Sequence, residues 1–579
     1  MKRSGLIFSG ILCIIVSIQV SAQRIVPLQY RENKSFSYEE LIGMYKKLDQ
    51  MHQDAMLTEW GMTDAGLPLH VFVVNTDEKF TPEEIREGNK GVLMVMNGIH
   101  PGEPDGMDAS VIWVDELLND PDLARKLENV VLCIIPVYNI DGMLNRGCCT
   151  RANQNGPEEY GFRGNAQNLD LNRDFMKQES SNAVSFAEIF RAFDPDFFID
   201  THVSNGADYQ HVFTLLHSSG ERLPEPLCTY HRREIVPELY REMEKKGYPV
   251  VPYVNIWNDP PDKGYPAFYD SPRYSNGYTS LWGTFSFTPE THMLKSFPER
   301  VEATKAFLEV SRGFLNANSR KVLVYRNMFR AWAKDVTWVP LRYGIDKNED
   351  RRIEFMGYEA YRDKSPITGE MQLYYDRTRP YTKKISYFDE FKVTYTAVKP
   401  RTFVIPFAYR KLAEKLEKAG VVTQKLRNDT VLTAETWFLP DVKFRSLYEG
   451  RPVFSLEDTT VLRVREAVPL KAGSVLVHTG TYNDLYLMNA LHPYGPDSYL
   501  VWGYFAAIAE QKEHFSPYIF DGYARTMLDT DAGLKAEFDA KKSADASFSS
   551  SAYAQLEYLY KRSPFAEKTL GRYPIMMIF

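Results

Sequence analysis

The stretch Asn97–Gly106 reads NGIHPGEPDG and sets a histidine and a glutamate three residues apart, His100 and Glu103. Pro101 and Gly102 between them argue against a helix interior. The apolar run Val92–Met96 comes just before. The expected geometry is therefore a buried strand ending in a tight turn that points both side chains one way. An imidazole and a carboxylate on a stiff turn supply two of the three protein ligands of a catalytic zinc site. They are also the side chains of an ordinary polar loop. A third ligand should come from another strand end. His202 is the candidate, carried by the short strand FFIDT (Phe197–Thr201) into a Ser/Asn/Gly turn. A hydrogen-bonded structural histidine is the plainer alternative there. His211 competes for the role, but Val212 and Phe213 beside it read as a strand interior.

More polar residues follow at strand ends and in loops. Arg163 lies in GFRGNAQN, and Asn172 and Arg173 lie in LDLNRDF. Arginines beside a metal hold a carboxylate or stabilise an oxyanion; elsewhere they make surface ion pairs. Asp170, two before Asn172, is placed to accept a hydrogen bond from a ligand imidazole. Glu290 ends the apolar run Thr284–Thr288. A carboxylate there suits a general base for water at a metal, or is a simple loop charge.

The elements that must position these residues alternate. Apolar strands are expected at Val92–Met96, Val130–Val137, Phe197–Thr201 and Thr284–Thr288. Helices are expected at Met107–Leu118, Ser185–Phe193, Leu227–Lys246 and Val301–Phe314. This pattern predicts an α/β domain, with a mixed, mostly parallel sheet flanked by helices. In such sheets sites gather at the carboxyl ends of strands. Composition shifts near Ala317–Ser319, so the first domain is expected over residues 23–320. An accessory α+β domain is expected over 321–579, with a strand at Arg401–Phe407 and a helix at Ala408–Lys418. The polar stretch Lys541–Ser551 reads as a surface loop.

Bulk composition fits this picture. The chain has 579 residues, too many for one simple core, and 44% of them are hydrophobic. Net charge is -7 and no basic block suggests nucleic acid as a partner. Residues 1–22 read as a signal peptide: Lys2 and Arg3, an apolar run from Leu6 to Val20, and small residues before Gln23. Export is the expectation, periplasmic or secreted, with no membrane span in the mature chain. Five cysteines, one of them in the signal segment, are too few for a disulfide scaffold. Cys148–Cys149 is a redox pair, a local feature or two free thiols.

Taken in order, H-x-x-E, then R, D-x-N-R, H after a strand, Y, and E after a strand resemble the zinc-dependent metallocarboxypeptidases of carboxypeptidase A type, in a divergent bacterial-type branch. Gly61–Val74 looks like the family's opening hairpin. Tyr138–Gly142 (YNIDG) looks like its N-P-D-G turn, with Ile140 in place of proline. The resemblance runs from about Tyr38 to Asn316 and implies a carboxypeptidase-like fold. It implies one zinc per chain, held by His100, Glu103 and His202, with Asp170 behind His100. It implies that Asn172 and Arg173 grip the free carboxylate of a peptide substrate and that Arg163 polarises the scissile carbonyl. Glu290 would be the general base. Tyr274 is the choice for the family's mobile tyrosine, with Tyr269 and Tyr278 as rivals. The stretch from Tyr274 to Trp282 shows Ser280 and Leu281 and no acid, which argues against basic C-terminal side chains. The implied activity is hydrolysis of the last peptide bond by metal-activated water. A zinc amide hydrolase acting on peptidoglycan stems or N-acyl amino acids is the alternative, and a non-catalytic peptide-binding protein is a second one. G-x-S-x-G, H-E-x-x-H and a phosphate-binding glycine loop are not found.

Overall fold

A computed structural model describes residues 24–579 apart from 219, 349 and 457–459. The expected signal peptide lies outside the described residues. Among the described residues no helix is long and apolar enough to cross a membrane.

The first part of the chain is built on a mixed sheet of nine strands. In chain order they are β1 (Ala55–Met62), β2 (Pro68–Val74), β3 (Gly91–Met96), β4 (Val130–Ile135), β5 (Phe197–Asp200), β6 (His202–Ser204), β7 (Phe213–His217), β8 (Val251–Pro252) and β9 (Phe285–His292). The spatial order is β1-β2-β4-β3-β5-β9-β7-β8, with β6 continuing β5 along β9. The centre, β4, β3, β5 and β9, is parallel. The opening hairpin joins antiparallel at one edge and β7 pairs antiparallel with β9. Strands β3, β4 and β5 are buried along their whole length. They read as unbroken apolar runs because both faces are covered. Successive side chains of β5 show this. Phe197 stacks on Phe314 of the helix Phe297–Asp335, with ring centroids 5.7 Å apart. Phe198 meets Phe186 of the helix Ser181–Phe193 at 5.8 Å on the opposite face.

Past its carboxyl end β3 enters the His100–Glu103 turn, closed by the Glu103 N–H donating to the His100 carbonyl at 2.8 Å. The helix Asp105–Leu118 starts at once. Gly106 permits that sharp reversal: a Cβ there would stand 1.9 Å from Thr201 Oγ1. Asp105 fixes the corner from below. It is buried and paired with the fully buried Arg300, Nε to Oδ2 at 2.9 Å. The same guanidinium donates to the carbonyls of Lys295, Asn155 and Gly156.

The helix that carries Arg300 has 39 residues, Phe297–Asp335. The composition shift at Ala317–Ser319 falls inside it, so the chain turns to new architecture only after Asp335. Beyond it come an antiparallel pair (Trp338–Ile345 with Phe391–Val398) and a long hairpin (Arg351–Lys364 with Met371–Phe388). A six-stranded sheet and four helices over Pro517–Tyr560 follow. The expected loop at Lys541–Ser551 is helical: Ala532–Ala544 and Ala546–Ser550 are each started by an aspartate cap, Asp531 and Asp545. The expected strand near 401–407 is Thr402–Ile405, and the helix after it is Lys411–Lys418. This region does not hang free. One apolar cluster runs through both parts, with Tyr486 stacked on Trp282 at 4.9 Å and Asn483 accepting from the Trp282 indole.

Replacing Arg300 with Met should cost about 3–5 kcal/mol, because Asp105 is left as a buried charge without its partner. Urea unfolding at unchanged slope reads this directly. A loss under about 1 kcal/mol would show that the corner does not depend on the pair.

Candidate active site

Three strand ends bring the polar residues together. His100 follows β3, His202 opens β6 beyond β5, and Glu290 sits in β9 directly beside His202 in the parallel register. His100, Glu103 and His202 are all buried, and one ligand atom from each lies within 4.8 Å of the others. Both imidazoles turn Nδ1 toward Glu103: His202 Nδ1 is 3.0 Å from Oε2 and His100 Nδ1 is 3.3 Å from Oε1. Both Nε2 atoms are taken by carboxylates, Asp170 behind His100 at 2.9 Å and Asp200 behind His202 at 2.9 Å. Each carboxylate holds its ring with a proton on Nε2, which frees the Nδ1 lone pair for the shared centre. Two imidazole nitrogens and a carboxylate oxygen converging this way suit a divalent cation, and zinc best of the common ones.

The electrostatics agree. Burial opposes ionisation of Glu103, but Arg151 and the imidazoles outweigh it and hold the carboxyl well below its usual range. Burial also opposes charge on His202, yet Asp200 and Glu103 raise it well above an ordinary histidine. A cation on the Nδ1 side would therefore replace a proton. Asp170 is kept ionised against its burial by His100, Arg163 and Arg173. Glu290 is half-buried and faces the cavity. Burial pushes its carboxyl up to about 8, with His202 opposing and Glu103 adding to the rise. A bound divalent cation would draw it back toward ionisation.

The cavity measures about 350 Å³. Arg163, Asn172, Arg173 and Tyr274 reach it along with the three ligands and Glu290. Arg163 is 43% exposed, and its Nη1 stands 3.3 Å from His100 Nδ1. Arg173 lies over the Tyr274 ring at 4.6 Å. Asn172 Oδ1 has no hydrogen-bond partner among the described residues, as expected for a group waiting on a ligand. Of the rival tyrosines, Tyr278 is fully buried among Phe186, Phe190 and Trp282. Tyr269 packs on Tyr343 and Phe391, away from the metal cluster. His211 bonds the Pro249 carbonyl and is no part of the cluster.

The structure corrects the reading of the specificity stretch. Ser280 and Leu281 are buried in the helical turn and do not line the cavity. An acid does line it, Asp270, four residues before Tyr274 and paired with Arg222 at 2.8 Å. Sequence reasoning also missed Asp200 and Arg151. Asp200 was findable, since it sits two before His202 on an extended segment and so shares its side. Arg151, 2.6 Å from Glu103, lies in a loop with no pattern to mark it. The adjacent Cys148 and Cys149 form a disulfide on the exposed side of the same loop.

His202→Ala should abolish binding of one divalent ion per chain, measured by equilibrium dialysis against zinc. Asp200→Asn should weaken it by about 10–100-fold through loss of ring orientation. Affinity should fall as pH is lowered, because the Nδ1 protons compete with the ion. Full zinc binding by His202→Ala would refute this site.

Residues 41–195 match the family model described as zinc carboxypeptidase. Carboxypeptidase 2 of Trichophyton rubrum is 24% identical over 435 residues, covering 71% of this chain and 73% of that one. Carboxypeptidase 2 of Trichophyton tonsurans is 23% identical over 428 residues, covering 71% and 73%. The metallo-carboxypeptidase structure from Burkholderia cenocepacia aligns at 19% identity and TM-score 0.37, covering 49% of this chain and 70% of that one. The family-model match over residues 41–195, the two carboxypeptidase relatives and the His–Glu–His cluster at the strand ends support an M14-type zinc carboxypeptidase domain in this part of the chain, a hydrolase of the metallocarboxypeptidase type.

Proposed function

We propose that this chain is an exported carboxypeptidase that removes residues one at a time from the free carboxyl end of peptides. The observation that carries the reading is one cavity holding His100, Glu103, His202, Glu290 and Arg173 together. His100, Glu103 and His202 would hold zinc, which when bound supplies Lewis-acid polarisation of the scissile carbonyl and of water.

The chain's own residues do the rest. Arg173 receives the terminal carboxylate through its guanidinium, with Asn172 beside it, so that only the last peptide bond lies over the metal ligands. Glu290 accepts a proton from the attacking water and delivers it to the leaving amine. Its position next to His202 in the sheet register supports that role. Arg163 donates to the carbonyl oxygen as negative charge builds on it. Asp170 holds the Arg163 Nε and Nη2 at 3.0 and 2.9 Å, which keeps Nη1 beside the metal ligands. Tyr274 closes over Arg173 and shields the carboxylate from water. No step needs a covalent intermediate. Export rests on the signal-like residues 1–22 alone.

The mature protein, loaded with zinc and given a mixed peptide library, should release single C-terminal residues as read by mass spectrometry. Glu290→Gln should lower the rate by at least about 10²–10⁴-fold, the usual contribution of a general base. Cleavage within chains, or equal rates for the variant, would defeat the proposal. Turnover of peptidoglycan stem peptides in place of ordinary peptides would favour the amide-hydrolase alternative.

A further inference from the structure

The hairpin Lys443–Tyr448 / Arg451–Ser455 belongs to the C-terminal region, far from the metal ligands in sequence. Its tip nevertheless meets the segment that carries Asp170 and Arg173. Tyr448 Oη accepts from Arg173 Nε at 2.8 Å. The Glu449 carboxylate accepts the Asp170 backbone N–H at 2.8 Å. Arg451 then pairs with Glu179 through both guanidinium ends, at 2.7–3.1 Å. The contacts are polar and directional, and they meet Arg173, which the proposed mechanism uses, and Asp170, whose carboxylate holds His100.

The tip is built for this. Tyr448 pairs with Arg451 across a two-residue turn, Glu449–Gly450. Both turn residues have positive φ, +48° and +71°, as a type I′ turn requires. Gly450 suits such a position, but Glu449 does not, since asparagine, aspartate or glycine would sit there with less strain. A strained glutamate whose carboxylate reaches a backbone N–H beside the site marks a functional constraint. Tyr448 is held in turn: its ring stacks on the buried Trp502 at 6.0 Å, and Arg273 covers both rings.

The guanidinium of Arg173 is thereby fixed on three sides. Nε goes to Tyr448, Nη1 goes to the Asn172 carbonyl at 2.8 Å, and one face lies on Tyr274. Nη2 makes no hydrogen bond within the described residues and is the donor left for a ligand. We infer that Tyr448, supplied by the C-terminal region, is a positioning residue that sets the orientation of Arg173, so that recognition of the substrate's terminal carboxylate depends on both parts of the chain. This rests on the proposed role of Arg173. Tyr448 touches no reacting atom; it acts by occupying Nε with a fixed partner, which aims the remaining donor.

The test is binding, not turnover. Zinc-loaded Glu290→Gln protein is titrated by calorimetry with one short peptide as the free acid and as the C-terminal amide. With Tyr448 present the free acid should bind more tightly. Adding Tyr448→Phe, which keeps the ring on Trp502, should shrink that preference about tenfold, the size of one hydrogen bond to a charged group. With Arg173→Lys already in place, Tyr448→Phe should have no further effect. An undiminished preference in Tyr448→Phe overturns the inference alone, as does an equal drop when Arg173→Lys is already present. No preference for the acid with Tyr448 intact would overturn the role of Arg173, and this inference with it.

Discussion

The whole site depends on one constraint: two buried imidazoles must present the same nitrogen to one carboxylate. A neutral histidine has two tautomers and a freely turning ring, and burial alone chooses neither. Asp170 and Asp200 make the choice by taking Nε2 on each side. That places two more carboxylates around a cluster already holding Glu103, Asp200 buried and Asp170 nearly so, and buried charge is costly without partners. The surrounding structure supplies them. Arg151 pairs with Glu103, Arg163 and Arg173 flank Asp170, and Ser275 donates to Asp200 at 2.6 Å. A cation at the centre would complete the balance, in the place that a proton on Nδ1 takes without it.

The strands explain how such a cluster is held in place. β3, β5 and β9 are parallel neighbours, buried on both faces, and end at one rim of the sheet. A rim of parallel strands gives several side chains from distant parts of the sequence a rigid common floor. Asp105 and Arg300 pin the corner where β3 turns into its helix, two residues after Glu103. Rigidity there is useful because a ligand displaced by about an ångström loses the metal.

Several of these features were legible in the sequence. His100, Glu103, His202 and Glu290 each follow or end an apolar run, which made them candidates with a plain structural alternative beside each; the order of the motifs, similar to that of the zinc metallocarboxypeptidases, chose between the readings. The alternation of buried strands and helices marked the α/β architecture in the same way. What escaped notice came from contacts that no local pattern encodes. Arg151 reaches Glu103 from an irregular loop. Tyr448 and Glu449 meet Arg173 and Asp170 from far along the chain. Asp270 faces the cavity because the loop before Tyr274 folds inward, whereas Ser280 and Leu281, nearer in sequence to the expected wall, turn into the core. The boundary expected near residue 320 reflected polar residues on one long helix, whose inward side continues to bury Val322, Arg326 and Phe329. Polar composition marked a solvated face there, not a break.

The account turns most directly on where the metal sits. Diffraction from crystals of the purified protein on both sides of the zinc absorption edge would locate it without reference to activity. The account predicts one anomalous peak, bonded to Nδ1 of His100, Nδ1 of His202 and the carboxylate of Glu103, with Asp170 and Asp200 still on the Nε2 atoms. A peak on the Nε2 side, or zinc bound elsewhere with this cluster left empty, would contradict it.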